Sequence, residues 1–236
     1  MCTPAPKIEA TASDYFAARI AEYDSLVRRA VPHYDEILDL LEVHFPKSAR
    51  DIVELGCGTG TLSLRLARCY PDARITFIDA ATEMLDVTRQ RLIAEGTSRP
   101  DRFNLVAATF EDVELPDRQF DLITSNMALH HVIDKATLFQ RIYDWLRPGG
   151  TLRFGDHVWG QTVGNREIGR TRWIAHCQSP GQLTEAELAS LIQHRHEHDH
   201  YISVKEQFGI FERVGFSDPD CVWSDGNWAI YTAEKA

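Results

Sequence analysis

Residues 54–60 have the types and the spacing that bind a nucleotide-like ligand. An apolar run ends in Glu54, and Gly56, Gly58 and Gly60 then follow at alternate positions before a helical segment. Such glycines allow a sharp turn and let a ligand lie against the backbone, close to the free N–H groups of a helix N-terminus. A dinucleotide fingerprint would need glycine at position 61, where the chain has threonine. The pattern therefore favours a different nucleotide-like ligand.

A second acidic residue, Asp79, ends the next apolar run, 19 positions after Gly60. In a doubly wound sheet, a carboxylate at the end of the second strand accepts hydrogen bonds from the hydroxyls of a ribose. Ala80 follows it, and Thr82 is a suitable N-cap for the next helix. Met84 in that helix either covers one face of a base or simply fills the helix core.

Histidines come after the fourth and fifth predicted strands, at His130 and His131 and at His157, which follows Asp156. Histidine is the side chain best suited to take a proton near neutral pH. His131, or Asp156 together with His157, is therefore a candidate general base. The alternatives are a backbone-bonded turn histidine for His131 and lining of a pocket for the other two.

Four of the ten histidines lie within residues 193–200. On a helix, His194 with His198 and His196 with His200 would be i, i+4 pairs, a separation that can chelate one metal ion. No cysteine lies among them, and the segment resembles a solvated helix end. We therefore predict no metal site.

The composition limits the class of protein. The chain has 236 residues, 44% of them hydrophobic, which suits one domain with a cap of helices. A net charge of −10 makes a nucleic-acid surface unexpected. The chain has no signal-peptide apolar core, and no apolar run approaches the roughly 20 residues needed to span a bilayer. Five scattered cysteines indicate reduced thiols, so we expect a cytoplasmic protein without membrane partners.

Strands and helices alternate through the middle of the chain, which predicts a mostly parallel sheet with helices on both faces. Strands are predicted near 51–55, 74–79, 102–107, 120–125 and 150–157, and helices near 61–70, 82–95 and 135–147. Two helices precede them, over 13–30 and 34–45, and a helix near 203–214 leads into a hairpin of 218–224 and 227–233. The expected division is an N-terminal helical cap (1–45), a ligand-binding core (46–157), a helical lid (158–214) and a C-terminal β-hairpin that completes the core sheet (215–236).

The run from Glu54 to Gly60 resembles motif I of the class I S-adenosylmethionine-dependent methyltransferases. The resemblance implies an α/β fold with a Rossmann-like, doubly wound sheet of seven strands, the last antiparallel, plus a helical cap. It also implies S-adenosylmethionine as cofactor and S-adenosylhomocysteine as product. Thr109 stands where this family often has an acid that binds the adenine, so that contact is expected to be weaker here.

The resemblance also implies roles for individual residues. The segment from Asn126 to His131 resembles motif IV and the turn after it, and Tyr23 to Tyr34 resembles a lead segment that closes over the cofactor. The expected catalytic residues are His131, His157 and Asp156, and the expected substrate contacts are His130, His200 and Tyr201. The expected cofactor contacts are Tyr23, Arg28, Glu54, Gly56, Gly58, Gly60, Asp79, Ala80, Met84, Thr109, Phe110, Asn126 and Met127.

The function implied by the resemblance is transfer of a methyl group to a small-molecule substrate held under the helical cap, by an O, N, C or S nucleophile. Two alternatives stay open. One is an enzyme like the carboxy-S-adenosylmethionine synthases, which acts on the cofactor for tRNA modification. The other is a non-catalytic S-adenosylmethionine-binding protein. The acceptor and the oligomeric state are open, a homodimer being one option.

Overall fold

Seven strands form a single sheet in the computed structural model, which describes Tyr15, residues 19–96 and residues 99–236. The strand order is β3-β2-β1-β4-β5-β7-β6, in which β7 runs antiparallel to both β5 and β6 while the other neighbours are parallel. The predicted doubly wound sheet with an antiparallel last strand is thus confirmed. The strands are β1 (Asp51–Leu55), β2 (Arg74–Asp79), β3 (Phe103–Ala107), β4 (Phe120–Asn126), β5 (Leu146–His157), β6 (Ser217–Asp225) and β7 (Trp228–Glu234).

Helices cover both faces of this sheet. Successive strand residues point to opposite faces, so Val53 of β1 joins one apolar core and its neighbour Ile52 joins the other. Helices α5 and α8 cover the first core, while α2, α3, α4 and α6 cover the second. The described helices are α1 (Tyr23–Ala30), α2 (Tyr34–Val43), α3 (Thr61–Cys69), α4 (Thr82–Ala94), α5 (Lys135–Trp145), α6 (Val163–Cys177), α7 (Glu185–His198) and α8 (Val204–Val214).

A turn over residues 19–22 interrupts the helix predicted over 13–30. Helix α1 begins at Tyr23, and before the turn only Tyr15, which is helical, belongs to the described residues. The indole N–H of Trp173 donates to the carbonyl of Ala30 at 2.9 Å, and Arg29 forms an ion pair with Glu187 at 2.6 Å. These contacts hold α1 against α6 and α7.

Helix α8 lies apart from that group. It begins with a capping box between Ser203 and Glu206 and ends at Gly215, whose φ of 97° suits glycine. Its buried residues Ile210 and Phe211 join the core under α5. The segment 158–214 therefore supplies α6 and α7 to the cap end and α8 to a face of the sheet.

None of the helices in the described part of the chain combines the length and the apolar composition that a bilayer-spanning helix needs.

Candidate active site

The loop between β1 and α3 can be built only with glycine at its critical positions. The N–H groups of Gly56 and Cys57 both donate to the carbonyl of Ile78, at 2.8 and 3.0 Å, which ties the loop to the end of β2. Gly56 has φ +71°, and a methyl group there would lie 2.3 Å from the Cβ of Ala128. Gly60 has φ +88° and forms the N-terminal boundary of α3, where a methyl group would lie 2.8 Å from the hydroxyl of Thr88. Any other residue would add both strain and a clash.

Asp79 holds this loop from the neighbouring strand. One carboxylate oxygen accepts from the N–H of Gly58 at 2.8 Å and the other from the N–H of Ala81 at 2.9 Å. Burial raises the pKa of Asp79, and these hydrogen bonds oppose the rise. The prediction that Thr82 is the N-cap of α4 is wrong. Ala81 takes that position, and its N–H donates to the Asp79 carboxylate.

A cavity of about 540 Å³ opens at the carboxyl ends of β1, β2 and β4. This volume suits a small-molecule or cofactor site, and the location is where open α/β sheets bind ligands. Met127 in its wall has φ +55°, a conformation uncommon for residues with side chains and one that concentrates at functional sites. The predicted residues that line the cavity are Tyr23, Gly56, Gly58, Asp79, Ala80, Met84, Thr109, Phe110, Asn126, Met127 and His131.

Three predicted cofactor contacts lie elsewhere. Gly60 faces Thr88 behind the loop. Glu54 is buried, accepts from the hydroxyl of Ser63 at 2.6 Å, and has its pKa raised to about 8 by burial. It lines a small void of about 20 Å³ beside the main cavity. Arg28 is exposed and pairs with Asp35 at 3.2 Å, so the structure places it away from the cavity.

Thr109 and Phe110 lie at the cavity in different ways. The hydroxyl of Thr109 donates to the Asp112 carboxylate at 2.8 Å and accepts from the Asp112 N–H at 3.1 Å, so it stabilises its own turn. The Phe110 ring lies close to Gly56, since a methyl group on that glycine would come within 3.2 Å of it. Glu111, which sequence reasoning missed, also lines the cavity.

Helix α1 closes over the glycine loop through Asp24, a residue that sequence reasoning did not single out. The Thr59 hydroxyl donates to the Asp24 carboxylate at 2.5 Å, and Arg91 of α4 pairs with the same carboxylate. Arg91 also donates to the carbonyl of Thr59 at 3.0 Å. The preceding residue, Tyr23, packs its ring beside Gly58, and removal from solvent raises the pKa of its hydroxyl. An acid in an exposed-looking amphipathic helix carries no local sign of partners 35 and 67 residues away.

Histidines and carboxylates meet beyond the ends of β4 and β5. Nδ1 of His130 donates to Asp156 at 2.5 Å. Around the Oδ1 atom of Asp199 lie His130 Nε2 at 3.7 Å, His131 Nδ1 at 3.2 Å and His194 Nε2 at 3.6 Å. We call His130, His131, His194, Asp156 and Asp199 the histidine cluster. The side chain of Asp199 is only 2% exposed, so the cluster is a buried polar network.

The electrostatics separate the two adjacent histidines. Burial lowers the pKa of His130, but the carboxylates of Asp156 and Asp199 outweigh it and the net shift is upward. Burial and the neighbouring His130 lower the pKa of His131. For Asp199, burial raises the pKa, but His130 and His131 outweigh it and hold it well below its ordinary value. His131 is thus the neutral imidazole, and it lines the main cavity.

The other predicted catalytic and substrate residues take varied positions. His157 is buried against His130, with ring centroids 4.8 Å apart, and burial holds its pKa well below the ordinary value. Asp156 binds His130 as well as the N–H of His157. His200 contributes its backbone N–H, which donates to the carbonyl of His130 at 2.8 Å, and Tyr201 donates its hydroxyl to Asp199.

Helix α7 ends at His198, so the predicted i, i+4 pair of His196 and His200 does not form. The chain turns away after His198 because Asp199 is drawn into the cluster and the N–H of His200 bonds His130. His194 and His198 do lie close, with ring centroids 5.1 Å apart.

A second cavity, of about 360 Å³, lies on the other side of Asp199 and Tyr201. Its wall includes Arg195, whose guanidinium carbon lies 3.9 Å from the ring centroid of Trp173 and 5.1 Å from that of Tyr201. One guanidinium nitrogen, Nη1, is buried without a hydrogen-bond partner. We call this the arginine cavity. Arg166 and Arg170 also line it.

Known proteins share sequence with the region that forms this site. Residues 52–150 match a family model described as a methyltransferase domain. The chain is 29% identical over 128 residues to malonyl-[acyl-carrier protein] O-methyltransferase of Priestia megaterium, covering 54% of this chain and 43% of that protein. It is 27% identical over 183 residues to phosphoethanolamine N-methyltransferase of Triticum aestivum, covering 78% of this chain and 30% of that protein. The matched region thus spans less than half of either relative.

Among solved structures, the chain resembles Haemonchus contortus phosphoethanolamine N-methyltransferase 2 in complex with phosphomonomethylethanolamine and S-adenosylhomocysteine. The TM-score is 0.69 at 17% identity, over 99% of this chain and 61% of that one. The likeness shows a shared fold. It agrees with the family match and with the resemblance of the glycine loop to motif I. Residues 52–150 thus match a methyltransferase domain, and the whole described chain has the fold of a methyltransferase that was solved with S-adenosylhomocysteine.

Proposed function

We propose that the protein transfers a methyl group from S-adenosylmethionine to a small-molecule acceptor. The observation that carries the proposal is the cavity of about 540 Å³ that the glycine loop, Asp79 and the segment Asn126–Met127 enclose at the carboxyl end of the sheet. A methyltransferase domain spans the residues that build most of it. By their names, the relatives given above methylate malonyl-[acyl-carrier protein] and phosphoethanolamine, and the solved neighbour holds S-adenosylhomocysteine.

The cavity has one end suited to each part of the cofactor. Asp79 faces the ribose in our proposal, with Met84 and Phe110 on either side of the base. The glycine loop and Tyr23 enclose the amino-acid part. This orientation puts the sulfonium beside Asn126 and Met127, with His131 at the acceptor end of the cavity. Residues 1–45 and 158–214 would act as cap and lid over the core of 46–157, with 215–236 completing the sheet.

The proposed reaction is an in-line displacement. A lone pair on the acceptor forms a bond to the methyl carbon, and the pair of the C–S bond goes to sulfur, which leaves as the neutral thioether of S-adenosylhomocysteine. Because the leaving group starts as a cation, catalysis rests mainly on positioning and exclusion of water. Where the acceptor atom carries a proton, His131 is the base that receives it, since its lowered pKa keeps the imidazole neutral.

The wall of the cofactor cavity favours ordinary S-adenosylmethionine over a carboxylated form. An additional carboxylate on the methyl carbon would require a cationic partner. Among the described residues that line this cavity there is no arginine or lysine, and Asp79 and Glu111 both contribute negative charge. We therefore favour methyl transfer over chemistry on the cofactor itself.

Calorimetry with S-adenosylmethionine and S-adenosylhomocysteine tests the cofactor assignment. We expect micromolar binding by the intact protein and a loss of about 10- to 100-fold in Asp79→Asn, because the neutral amide accepts less strongly from the ribose hydroxyls. Asp72→Asn, at an exposed position before β2, is the matched control and should bind normally. A folded protein that binds neither compound would disprove the assignment.

Turnover is tested separately, by incubating the protein with S-adenosylmethionine and a panel of small acids, amines and thiols. Formation of S-adenosylhomocysteine together with an acceptor heavier by one methyl group would support methyl transfer. Tight cofactor binding without turnover of any acceptor in a broad panel would favour the non-catalytic binding protein.

A further inference from the structure

We propose that His130, His131 and Asp199 bind a divalent first-row transition-metal ion at the boundary between the cofactor cavity and the arginine cavity. One potential ligand atom from each of these three residues lies within 4.8 Å of the other two. The residues come from two segments about 70 positions apart, which the fold brings together at the carboxyl ends of β4 and β5.

The distances suit a shared central ion. Ligand atoms bound tetrahedrally to zinc at about 2.0–2.1 Å lie roughly 3.3–3.4 Å from one another. The Oδ1 atom of Asp199 lies 3.2 Å from His131 Nδ1 and 3.7 Å from His130 Nε2. Nε2 of His194 lies 3.6 Å from the same oxygen and is placed to become a fourth ligand or to border an open position.

Neighbouring groups already hold the ligands in ligating orientations. The Asp156 carboxylate accepts from Nδ1 of His130 at 2.5 Å, and this bond orients the ring so that Nε2 faces Asp199. Metal-bound histidines characteristically donate their other ring N–H to a carboxylate or carbonyl in this way. The hydroxyl of Tyr201 donates to the other oxygen of Asp199 and so directs Oδ1 toward the imidazoles.

The buried atoms at this place that lack a hydrogen-bond partner include Oδ1 of Asp199 and Nε2 of His198. The side chain of Asp199 is only 2% exposed, and a carboxylate oxygen without a hydrogen bond at that depth costs free energy unless something binds it. A cation between Oδ1 and the imidazole nitrogens would satisfy the oxygen. It would also displace the proton through which His131 Nδ1 now bonds the carbonyl of His198 at 3.3 Å.

The donor set narrows the class of ion. Imidazole nitrogen with one carboxylate oxygen suits zinc, iron, cobalt or nickel, whereas calcium and magnesium prefer oxygen ligands. Three protein ligands leave at least one coordination position for another group. His131 lines the cofactor cavity and Asp199 lines the arginine cavity, so that position is close to both. If the proposed methyl transfer holds, the ion would bind the oxygen, nitrogen or sulfur that receives the methyl group and lower its pKa, and it would then replace His131 as the group that promotes loss of the acceptor's proton.

The test measures metal binding without cofactor or acceptor, so its outcome does not depend on the proposed function. Untagged protein is stripped with a chelator and titrated with Zn²⁺ and Co²⁺ against a competing metal indicator. We expect one ion per chain, and a loss of affinity of at least about 100-fold in both Asp199→Asn and His131→Gln. The control His196→Gln changes an exposed histidine of α7 and should retain the stoichiometry and the affinity of the wild type.

Cobalt also reports on the ligands directly. In the paramagnetic protein we expect shifted imidazole resonances from His130 and His131, each lost in the corresponding variant. A thermal melt of every variant shows whether it is folded. If either Asp199→Asn or His131→Gln fails to fold, the other still tests the proposal. Absence of saturable binding by the wild type, or binding that both cluster variants retain, would overturn the proposal. Equal loss in His196→Gln would assign the binding to surface histidines and overturn it too.

Discussion

The cofactor cavity and the histidine cluster lie side by side but are built in opposite ways. The cavity is built around the glycine loop and the carboxylate of Asp79, and this loop is contiguous in sequence. The cluster is made of histidine and aspartate side chains from the ends of β4, β5 and α7. The cavity requires loop residues that have no side chain, whereas the cluster requires buried charged groups that pair with one another. Substitutions in the two sites should therefore fail differently.

The largest effect is expected for Gly56→Ala. The new methyl group would meet Ala128 at 2.3 Å in a backbone conformation with φ +71°, so strain and overpacking add. We expect a loss of about 3 kcal/mol or more in the free energy of unfolding, and no measurable binding of S-adenosylmethionine. Chemical denaturation and calorimetry measure the two effects.

Gly164→Ala is the matched control for that substitution. It lies in α6 with a helical backbone and nothing within 4 Å of the added group, so the change should be neutral or stabilise by up to about 1 kcal/mol. If Gly56→Ala behaved like Gly164→Ala, the close approach of the loop to Ala128 would be wrong.

Asp156→Ala should be the next most damaging change. It removes the carboxylate that accepts a hydrogen bond from His130 and raises the pKa of that imidazole. The buried His130 ring would then lack this partner. Breaking a buried pair of this kind costs about 3 kcal/mol. In contrast with Gly56→Ala, the folded fraction should retain cofactor affinity, because Asp156 does not line the cofactor cavity.

The exposed Asp117→Ala serves as control and should leave the free energy of unfolding within about 0.5 kcal/mol of the wild type. A loss of cofactor affinity in Asp156→Ala equal to that in Gly56→Ala would mean that the two sites form one energetic unit.

The buried carboxyl group of Glu54, beside the cofactor cavity, should make the stability of the protein depend on pH. Its folded-state pKa is raised to about 8 by burial, so the folded protein keeps a proton that the unfolded chain releases above pH 4.5. This contribution to stability is complete below about pH 4.5 and is lost as the pH rises toward 8. Glu54→Gln removes this pH dependence. The free energy of unfolding of Glu54→Gln should therefore rise relative to that of the wild type between pH 4.5 and 8, by about 2 kcal/mol or more.

Denaturant titrations of the wild type and Glu54→Gln at several pH values measure that difference. Glu83→Gln, at an exposed position of α4, is the control and should follow the wild type. A constant difference across the window would show that Glu54 titrates normally.

The smallest effect is expected for Arg195→Met in the arginine cavity. One buried nitrogen of the guanidinium has no hydrogen-bond partner, and methionine can keep the packing on Trp173. We expect the free energy of unfolding to change by no more than about 1 kcal/mol, because the loss of the cation–π contacts is offset by removal of a poorly solvated nitrogen. Thermal denaturation checks this. A fall of several kcal/mol would show that Arg195 has a partner that stabilises the fold.

The same contrast explains which features the sequence could predict. The glycine loop and Asp79 were predictable because neighbouring residues encode them: a strand, a turn and a helix start in a fixed order. Asp24 and Arg195 were not singled out, and the role of Asp199 was not predicted, because their partners are distant in sequence. The role of Asp199, for example, depends on His130 and His131, about 70 positions earlier.

Two local predictions failed for the same reason. Thr82 is a good N-cap by type, but Ala81 takes the N-cap position, where the buried Asp79 carboxylate binds its N–H group. His196 and His200 have the spacing of a chelating pair, but tertiary contacts of Asp199 and His200 end the helix at His198. Local preference was overruled where a buried group supplied a stronger partner.

The contact of Asp24 with Thr59 and Arg91 has a consequence for the timing of the reaction cycle. Helix α1 lies across the glycine loop through Asp24, and Ala30 and Arg29 at its other end bind Trp173 and Glu187. A ligand enclosed beneath Tyr23 would leave when the contacts of Asp24 open, and the contacts of Arg29 and Ala30 would make α1, α6 and α7 move together as one gate. Opening this gate breaks the ion pair between Asp24 and Arg91, and dissolved salt weakens such a pair. The rate of product departure, and with it the turnover of a fast acceptor, should therefore rise with ionic strength.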